Sequence, residues 1–444
     1  MSLPSYRLGV DVGGTFTDLL LLREDTGETW RAKVPSTPED QSVGVVEGKD
    51  RILSQIPNGA DIILRVVNHG TTVATNTILE QKGARVALVV TEGYKDILQT
   101  RRSQVPGGLA SWIMWPKPEP LAPLELTVEA PGRLATDGTE VRTFDEKLFE
   151  TRLRPIVDQK PDSVTVSLIN AYANPAHERK AQSIVARVLP DTPVSISSEV
   201  LPELMEYERT ITTVVNSYIE PRVSLYLDHL LKSLKGKVKH LRILRSDGGL
   251  STVSLARRFP VSWVLSGPAG GVSGAVSVVA SQTKFKNLIT VDMGGTSTDV
   301  ALVENGVPRI RRETKIGDLV VKTPSVDVRT VGAGGGSIAK VPEITKALRV
   351  GPESAGAIPG PACYEKGGAL ATVTDANAVL GYLPNHLLGG TISLNVDAAR
   401  KAVQQVADDL GVSLYKAAEG ILRVSNETMY VDLHTSLVIG TVQL

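Results

Sequence analysis

Two stretches hold the residues best suited to gripping an anion. They are Val10-Asp11-Val12-Gly13-Gly14-Thr15-Phe16-Thr17-Asp18 and Val291-Asp292-Met293-Gly294-Gly295-Thr296-Ser297-Thr298-Asp299. Each sets an Asp at the end of an apolar strand, follows it with two glycines and two spaced threonines, and closes on a second Asp before another apolar strand. Paired glycines lack the Cβ atoms that hold a backbone away from a phosphate, and they allow turns closed to other residues. The backbone N–H groups of Gly13, Gly14, Gly294 and Gly295 can then donate to phosphate oxygens, together with the hydroxyls of Thr15, Thr17, Thr296 and Thr298. Asp11 and Asp292 suit Mg²⁺ held through its waters, because that ion combines a few carboxylates with phosphates. One such turn alone says little, since Asp-Gly and Gly-Gly pairs also close ordinary hairpins.

The second copy changes the weight of the first. The two lie more than half the chain apart, far beyond the period of a solenoid or propeller, so they mark a duplicated domain or half-domain. Phosphate hairpins facing each other across a cleft are the pattern of the actin, hexokinase and Hsp70 ATPase fold, which this chain resembles here. The expected fold class is therefore α/β, a duplicated actin-like ATPase with one hairpin in each half.

The totals narrow the function classes. At 444 residues the chain can hold two or three cored domains. Lys+Arg and Asp+Glu both total 48, a neutral balance that gives no footprint for nucleic acid or an anionic membrane. Residues 260–283 carry no charge, yet Pro268, several glycines and few bulky apolar groups make a buried loop and helix the better reading than a span. The single cysteine, Cys363, excludes an intrachain disulfide, and no Cys/His cluster has zinc spacing. Both features favour a reducing, cytoplasmic compartment.

The intervening sequence supplies the scaffold. Thr37-Pro38-Glu39-Asp40 reads as a helix start with Thr37 as cap, running to Leu53. The β-branched run before Asn68-His69-Gly70-Thr71-Thr72 ends at a helical stretch, a turn that could bind an anion or could simply cap the helix, with His69 as a satisfied buried side chain. Residues 105–123, with Trp112, Trp115 and five prolines, read as a loop. Residues 126–143 read as a hairpin through Asp137-Gly138, and 206–235 as a long helix that Pro221 should kink or split. Further glycine-rich turns at 246–249, 266–271 and 332–337, and a long Gly/Pro loop at 351–368, could approach a ligand or pack tightly. A last helix is expected over 413–425.

With these pieces in place the chain resembles the hydantoinase A and 5-oxoprolinase family, kin to acetone carboxylase subunits. The resemblance runs from Tyr6 to Met429. It is carried by both Asp-Gly-Gly motifs, by Asn68 to Tyr94, by Glu206-Tyr207-Glu208-Arg209, and by the segments 265–272, 331–339 and 349–364. It implies a chain that binds MgATP between the hairpins and phosphorylates the carbonyl oxygen of a hydantoin- or 5-oxoproline-type cyclic amide, with a hydantoinase B-type partner subunit or fused half completing hydrolysis. Asp18, Asp299 and His69 are the acid–base candidates. The glycine-rich loops are the expected substrate and phosphate walls, and a homo-oligomer is compatible with this reading.

The expected divisions are residues 1–190 with the first hairpin, 191–429 with the second, and a divergent tail at 430–444. That tail is unlike the family, so the second half is expected to be incomplete on the adenosine side. Two alternatives follow: a small-molecule kinase of the same superfamily, or an inactive nucleotide-binding protein.

Overall fold

The computed structural model describes residues 4–14, 16–37, 40–57, 59–102, 118–356, 358–387 and 392–442. Thr15 and the tryptophans of the 105–123 loop lie outside them.

The first hairpin is the centre of a six-stranded sheet. Its strands β1 (Tyr6–Val12) and β2 (Phe16–Arg23) pair antiparallel, and β3 (Thr29–Pro35) continues on β2. On the other edge of β1 lies β4 (Leu64–Thr71), parallel to it. Strict alternation shapes β1: Tyr6, Leu8, Val10 and Val12 turn into the core while Arg7, Gly9 and Asp11 turn outward. A period of two leaves no other arrangement for an apolar/polar alternation. Helix α1 (Gln41–Leu53) connects β3 to β4, and α2 (Val73–Leu79) leads from β4 out of this sheet. The cap of α1 is Asp40 rather than Thr37: its Oδ1 accepts from the Ser42 N–H at 3.0 Å, while the Thr37 hydroxyl donates to the Asp40 carbonyl.

A second, all-parallel sheet has the order β8-β7-β5-β6, built from β5 (Val86–Thr91), β6 (Thr127–Ala130), β7 (Ser163–Ser167) and β8 (Val194–Ile196). β6 belongs to this sheet, so the hairpin expected over 126–143 shrinks to the short pair Arg133–Leu134 and Glu140–Arg142 around the Asp137-Gly138 turn.

Between the two sheets runs α3 (Glu206–Leu234), unbroken at Pro221. Its apolar residues, among them Ile211, Val215 and Ile219, enter the first core. Toward the second sheet it presents hydroxyls: Thr165 Oγ1 meets Ser217 Oγ at 2.7 Å, and Ser167 Oγ meets Thr210 Oγ1 at 2.8 Å. Packing on both sides outweighs the loss of one helical hydrogen bond at proline. The first turn of α3 is anchored by Arg209, fully buried, which donates to Ser197 Oγ and to the Leu168 and Glu203 carbonyls.

Strands β9 (Val238–Leu244) and β10 (Leu250–Thr252) then return to the first sheet beside β4. Residue 190 therefore lies between elements that share both sheets. Helix α4 (Ser266–Ala275) follows.

The second hairpin consists of β11 (Leu288–Met293) and β12 (Thr298–Glu304). β12 also pairs with β13 (Val307–Pro308) and, after the small hairpin of β14 (Thr314–Ile316) and β15 (Leu319–Val321), with β16 (Val328–Val331). Among the described residues β11 pairs with β12 alone, and its Ile289, Val291 and Met293 are about half exposed. The Gly/Pro stretch at 351–368 begins as a strand, Arg349–Ser354, paired with Ser337–Lys340. Three helices, Val373–Val379, Val396–Leu410 and Leu414–Val442, pack a further core around Cys363 and Val403. The last of these runs well past the expected end at 425. Among the described residues no helix is long and apolar enough to cross a membrane.

One buried carboxyl outside the hairpins sets a pH test. Burial pushes Glu220 of α3 up to about 7, offset only by a hydrogen bond from Ser195. A carboxyl raised on folding favours the fold below its ordinary value and costs stability as pH climbs through 7. Glu220→Gln is expected to gain roughly 2 kcal/mol of unfolding free energy at pH 8 relative to its effect at pH 5, read from denaturation at both pH values.

Candidate nucleotide and phosphate site

The two hairpins are built alike at the tip. The Gly13 N–H donates to the Phe16 carbonyl at 3.0 Å, and the Gly294 N–H to the Ser297 carbonyl at 2.9 Å. In both, the register sets the Asp residues side by side across the strands, Asp11 opposite Asp18 and Asp292 opposite Asp299. A third strand completes each row: Lys33 of β3 lies opposite Asp18, and Thr330 of β16 opposite Asp299. Lys33 Nζ reaches Asp18 Oδ2 at 2.8 Å, and Thr330 Oγ1 donates to Asp299 Oδ1 at 2.6 Å. Neither Lys33 nor Thr330 stands out in the sequence. Counting outward along three alternating strands is the only signal for them.

The hairpins approach each other closely enough to feel each other's charge. Desolvation in the cleft raises the Asp11 carboxyl above its ordinary value, Asp18 and then Asp292 add repulsion, and Lys33 offsets part of it. Asp299 is likewise raised, mainly by burial and then by Asp292, against the Thr330 hydrogen bond. Asp11, Asp18, Lys33 and Asp292 line one cavity of about 980 Å³ between the first sheet and α4. Arg31 and Arg51 line the same cavity, so its three carboxylates meet three cations; Asp11 and Asp292 are the two carboxylates there that could ligate a divalent ion. Among the described residues no three His, Cys, Asp or Glu side chains meet at metal-ligand spacing, so such an ion would take its remaining ligands from phosphate and water.

Two glycines leave room for the Asp11 carboxylate. A Cβ at Gly70 would lie 3.2 Å from Asp11 Oδ1, and one at Gly267 would lie 3.3 Å from it. α4 is pinned in that position by Leu265, held in a left-handed conformation, whose N–H donates to Thr75 Oγ1 at 3.0 Å. The Ser266 hydroxyl adds a bond to the Thr71 carbonyl.

Several expected site residues fall elsewhere. Thr17 and Thr298 are fully buried. Thr17 meets Ser36 Oγ at 3.0 Å, and Thr298 donates to the Ala333 carbonyl at 2.6 Å. Each precedes an outward Asp by one residue, so alternation turns it inward, away from the cleft. Gly14, Gly294, Gly295 and Thr296 are exposed at the tips, with Gly13 partly so; Thr15 lies outside the described residues.

His69 is also turned away. It lies opposite Val10, on the core face of β4, with its Nε2 2.6 Å from the Tyr226 hydroxyl. Burial lowers its pKa to about 4, so it stays neutral at physiological pH. It is a core histidine and does not share a face with Asp11. The glycine-rich segment 332–337, expected as a ligand wall, supports the second tip from beneath. Its Gly335 and Gly336 N–H groups donate to the Gly294 and Gly295 carbonyls at 3.0 and 2.6 Å.

Comparison with known proteins matches this arrangement to one group. The hydantoinase/oxoprolinase family model matches residues 209–438, and the model of its N-terminal region matches residues 7–189. The chain belongs to the hydantoinase/oxoprolinase family. The family match continues past Met429, along the helix that closes the structure. The caprolactamase subunit alpha of Pseudomonas jessenii is 39% identical over 439 residues, covering 97% of this chain and 62% of its own. The acetophenone carboxylase gamma subunit of Aromatoleum aromaticum is 34% identical over 95% of this chain and 60% of its own. The structure of ATP-dependent caprolactamase superposes with a TM-score of 0.79 at 38% identity, covering 95% of this chain and 62% of that one. The nucleotide-free acetone carboxylase gives 0.81 at 28% identity, covering 98% and 63%. The chain thus shares their α/β fold and spans about three-fifths of the length of these relatives.

The support role of Gly334 gives a direct test. A Cβ there would lie 2.6 to 2.9 Å from the backbone of Thr296 and Ser297. Gly334→Ala is expected to weaken MgATP binding at least ~10-fold and to cost roughly 1–3 kcal/mol of stability. Gly274→Ala, which meets nothing within 4 Å, serves as the control in the same titration. Equal affinities for the two variants would show that the segment does not shape the tip.

Proposed function

We propose that this chain is a cytoplasmic ATP-dependent enzyme that phosphorylates the carbonyl oxygen of a cyclic amide or imide of the hydantoin or 5-oxoproline type, opening the ring to hydrolysis. The observation that carries this reading is the pair of matching Asp rows, close enough that Asp292 acts on Asp11. The duplication supports an actin-like ATPase architecture with a triphosphate between the tips. The relatives' names fit the same chemistry, since caprolactam, 5-oxoproline, acetone and acetophenone all present a carbonyl group.

In this reading the tip amides of Gly13, Gly14, Gly294 and Gly295 hold the phosphates, while Asp11 and Asp292 hold a Mg²⁺ that would neutralise charge on the transferring group. The amide oxygen attacks the γ-phosphorus, the bond to the β-phosphate oxygen breaks, and ADP leaves. Such transfers depend on positioning and charge neutralisation more than on covalent help from the protein. Phosphorylation turns the carbonyl carbon into an electrophile; one water adds there and the ring C–N bond breaks, leaving an acyl phosphate and the freed amine, and a second water then cleaves the acyl phosphate to carboxylate and phosphate. In the same reading Asp299 holds or passes a proton, which its raised, half-buried carboxyl supports. The subunit names of the relatives support a partner chain that completes the hydrolysis.

The test is ADP release by the purified chain with hydantoin or 5-oxoproline, with and without a candidate partner subunit. Lactam-stimulated release is expected, and Asp11→Asn or Asp292→Asn should lower it on the order of 100-fold without loss of folding. No stimulation under either condition would overturn the proposal for this chain.

A further inference from the structure

Asp299 lines a cavity of about 730 Å³ whose lining includes neither Asp11 nor Asp292. The starts of α2 and α4, with β14 and β16, bound it. Among the described residues, Arg311, Lys315 and Arg329 share this lining with a single carboxylate, Asp299. Arg311 is engaged by Asp327. Among the described residues Lys315 and Arg329 have no ion pair.

The hydroxyls around them are largely committed. Thr71 donates to Gln41 Oε1, Thr72 to the Val12 carbonyl and Ser266 to the Thr71 carbonyl. Asp299 accepts from Thr330 through Oδ1 alone, which leaves its Oδ2 for a ligand. Two cations and one carboxylate oxygen are thus the groups that can meet an occupant.

The cations come from different parts of the molecule. Lys315 lies on β14, whose next residue, Ile316, is buried in the first core together with Val321 of β15. The Lys322 N–H ties this strap down further by donating to Thr212 Oγ1 at 2.9 Å. Arg329 lies on β16, paired with β12 of the second hairpin. An ion held by both bridges the two hairpin-bearing halves.

Lys315 and Arg329 require an anion, while Asp299 repels any anion that has no proton to offer it. Inorganic phosphate resolves that conflict. At neutral pH it keeps a hydroxyl, which donates to Asp299 while its ionised oxygens meet the ammonium and the guanidinium fork. A sulfate or a simple carboxylate is fully ionised there and has no such donor. The cavity is larger than one phosphate ion, so water completes the shell.

We propose that this cavity is a binding site for inorganic phosphate, held by Lys315 and Arg329 and recognised through its hydroxyl by Asp299. The site goes beyond the proposed phosphoryl transfer and rests on that reading only for the source of the ion, the phosphate freed when the acyl phosphate is cleaved. The nucleotide's own phosphates are the competing source of the same oxygens.

Binding of radiolabelled inorganic phosphate to the full chain is followed by equilibrium dialysis, with and without saturating MgADP, and MgADP affinity is recorded for every variant. Phosphate is expected to stay bound when MgADP fills the nucleotide site, and sulfate should displace it only at concentrations at least ~10-fold higher. Lys315→Gln and Arg329→Gln should each weaken phosphate at least ~10-fold while MgADP affinity shifts less. Asp299→Asn should bring phosphate and sulfate toward equal affinity, because the hydroxyl loses its ionised acceptor. Absence of phosphate binding, equal affinity for phosphate and sulfate in the unaltered chain, or undiminished binding in both cation variants overturns the proposal. Displacement of phosphate by MgADP also overturns it, assigning the cations to the nucleotide. If a neutral variant loses MgADP as well, Lys315→Arg and Arg329→Lys decide: phosphate kept supports the site, and phosphate lost with MgADP kept sinks it. Dialysis needs no turnover, so a failure of lactam-stimulated ADP release overturns the proposed function and leaves this site standing.

Discussion

The arrangement depends on one electrostatic constraint: two aspartates side by side on each hairpin, with Asp292 of the second close enough to act on Asp11 of the first. Like charges directly across a strand pair oppose folding, and each row ends in a group that relieves part of the repulsion. In the first row the ammonium of Lys33 meets Asp18, and in the second the hydroxyl of Thr330 meets Asp299. The rows are alike in register yet unequal in charge: the first sets Lys33 beside its two aspartates, the second only a hydroxyl.

The glycines around this centre do two different jobs. Gly70 and Gly267 give the Asp11 carboxylate room by having no Cβ, and they come from β4 and α4, far apart in the chain. Gly334 packs against the backbone of the second tip, and the Gly335 and Gly336 amides donate to its Gly294 and Gly295 carbonyls. The same composition thus serves clearance in one place and contact in the other. The two halves also differ at an edge. β1 has β4 beside it in parallel, whereas β11 has a strand on one side only among the described residues. Each hairpin therefore sits in a different setting despite its matching tip.

Rigidity on the first side comes from α3. Its hydroxyl contacts to the second sheet and apolar contacts to the first let one helix couple both, and the buried Arg209 holds its first turn. The strap of β14 and β15 packs against this body, carrying Lys315 to the cavity beside Asp299. Contacts of this kind make the pocket a property of both halves.

The sequence by itself determined both hairpins, their Asp and Gly positions, the α/β class and the family, because these rest on local chemistry: glycine turns, strand alternation and short motifs. Alternation also held the answer for Thr17 and Thr298, since a residue next to an outward Asp must point inward. Only the tertiary structure decided which aspartates share a row with Lys33 or Thr330, that His69 faces Tyr226 and the core, and that Asp40 instead of Thr37 caps α1. It alone showed that segment 332–337 supports the second tip and that Lys315 and Arg329 meet at one cavity. Each of these depends on the pairing of strands or the packing of helices distant in sequence, where no periodicity records which neighbour a side chain will find.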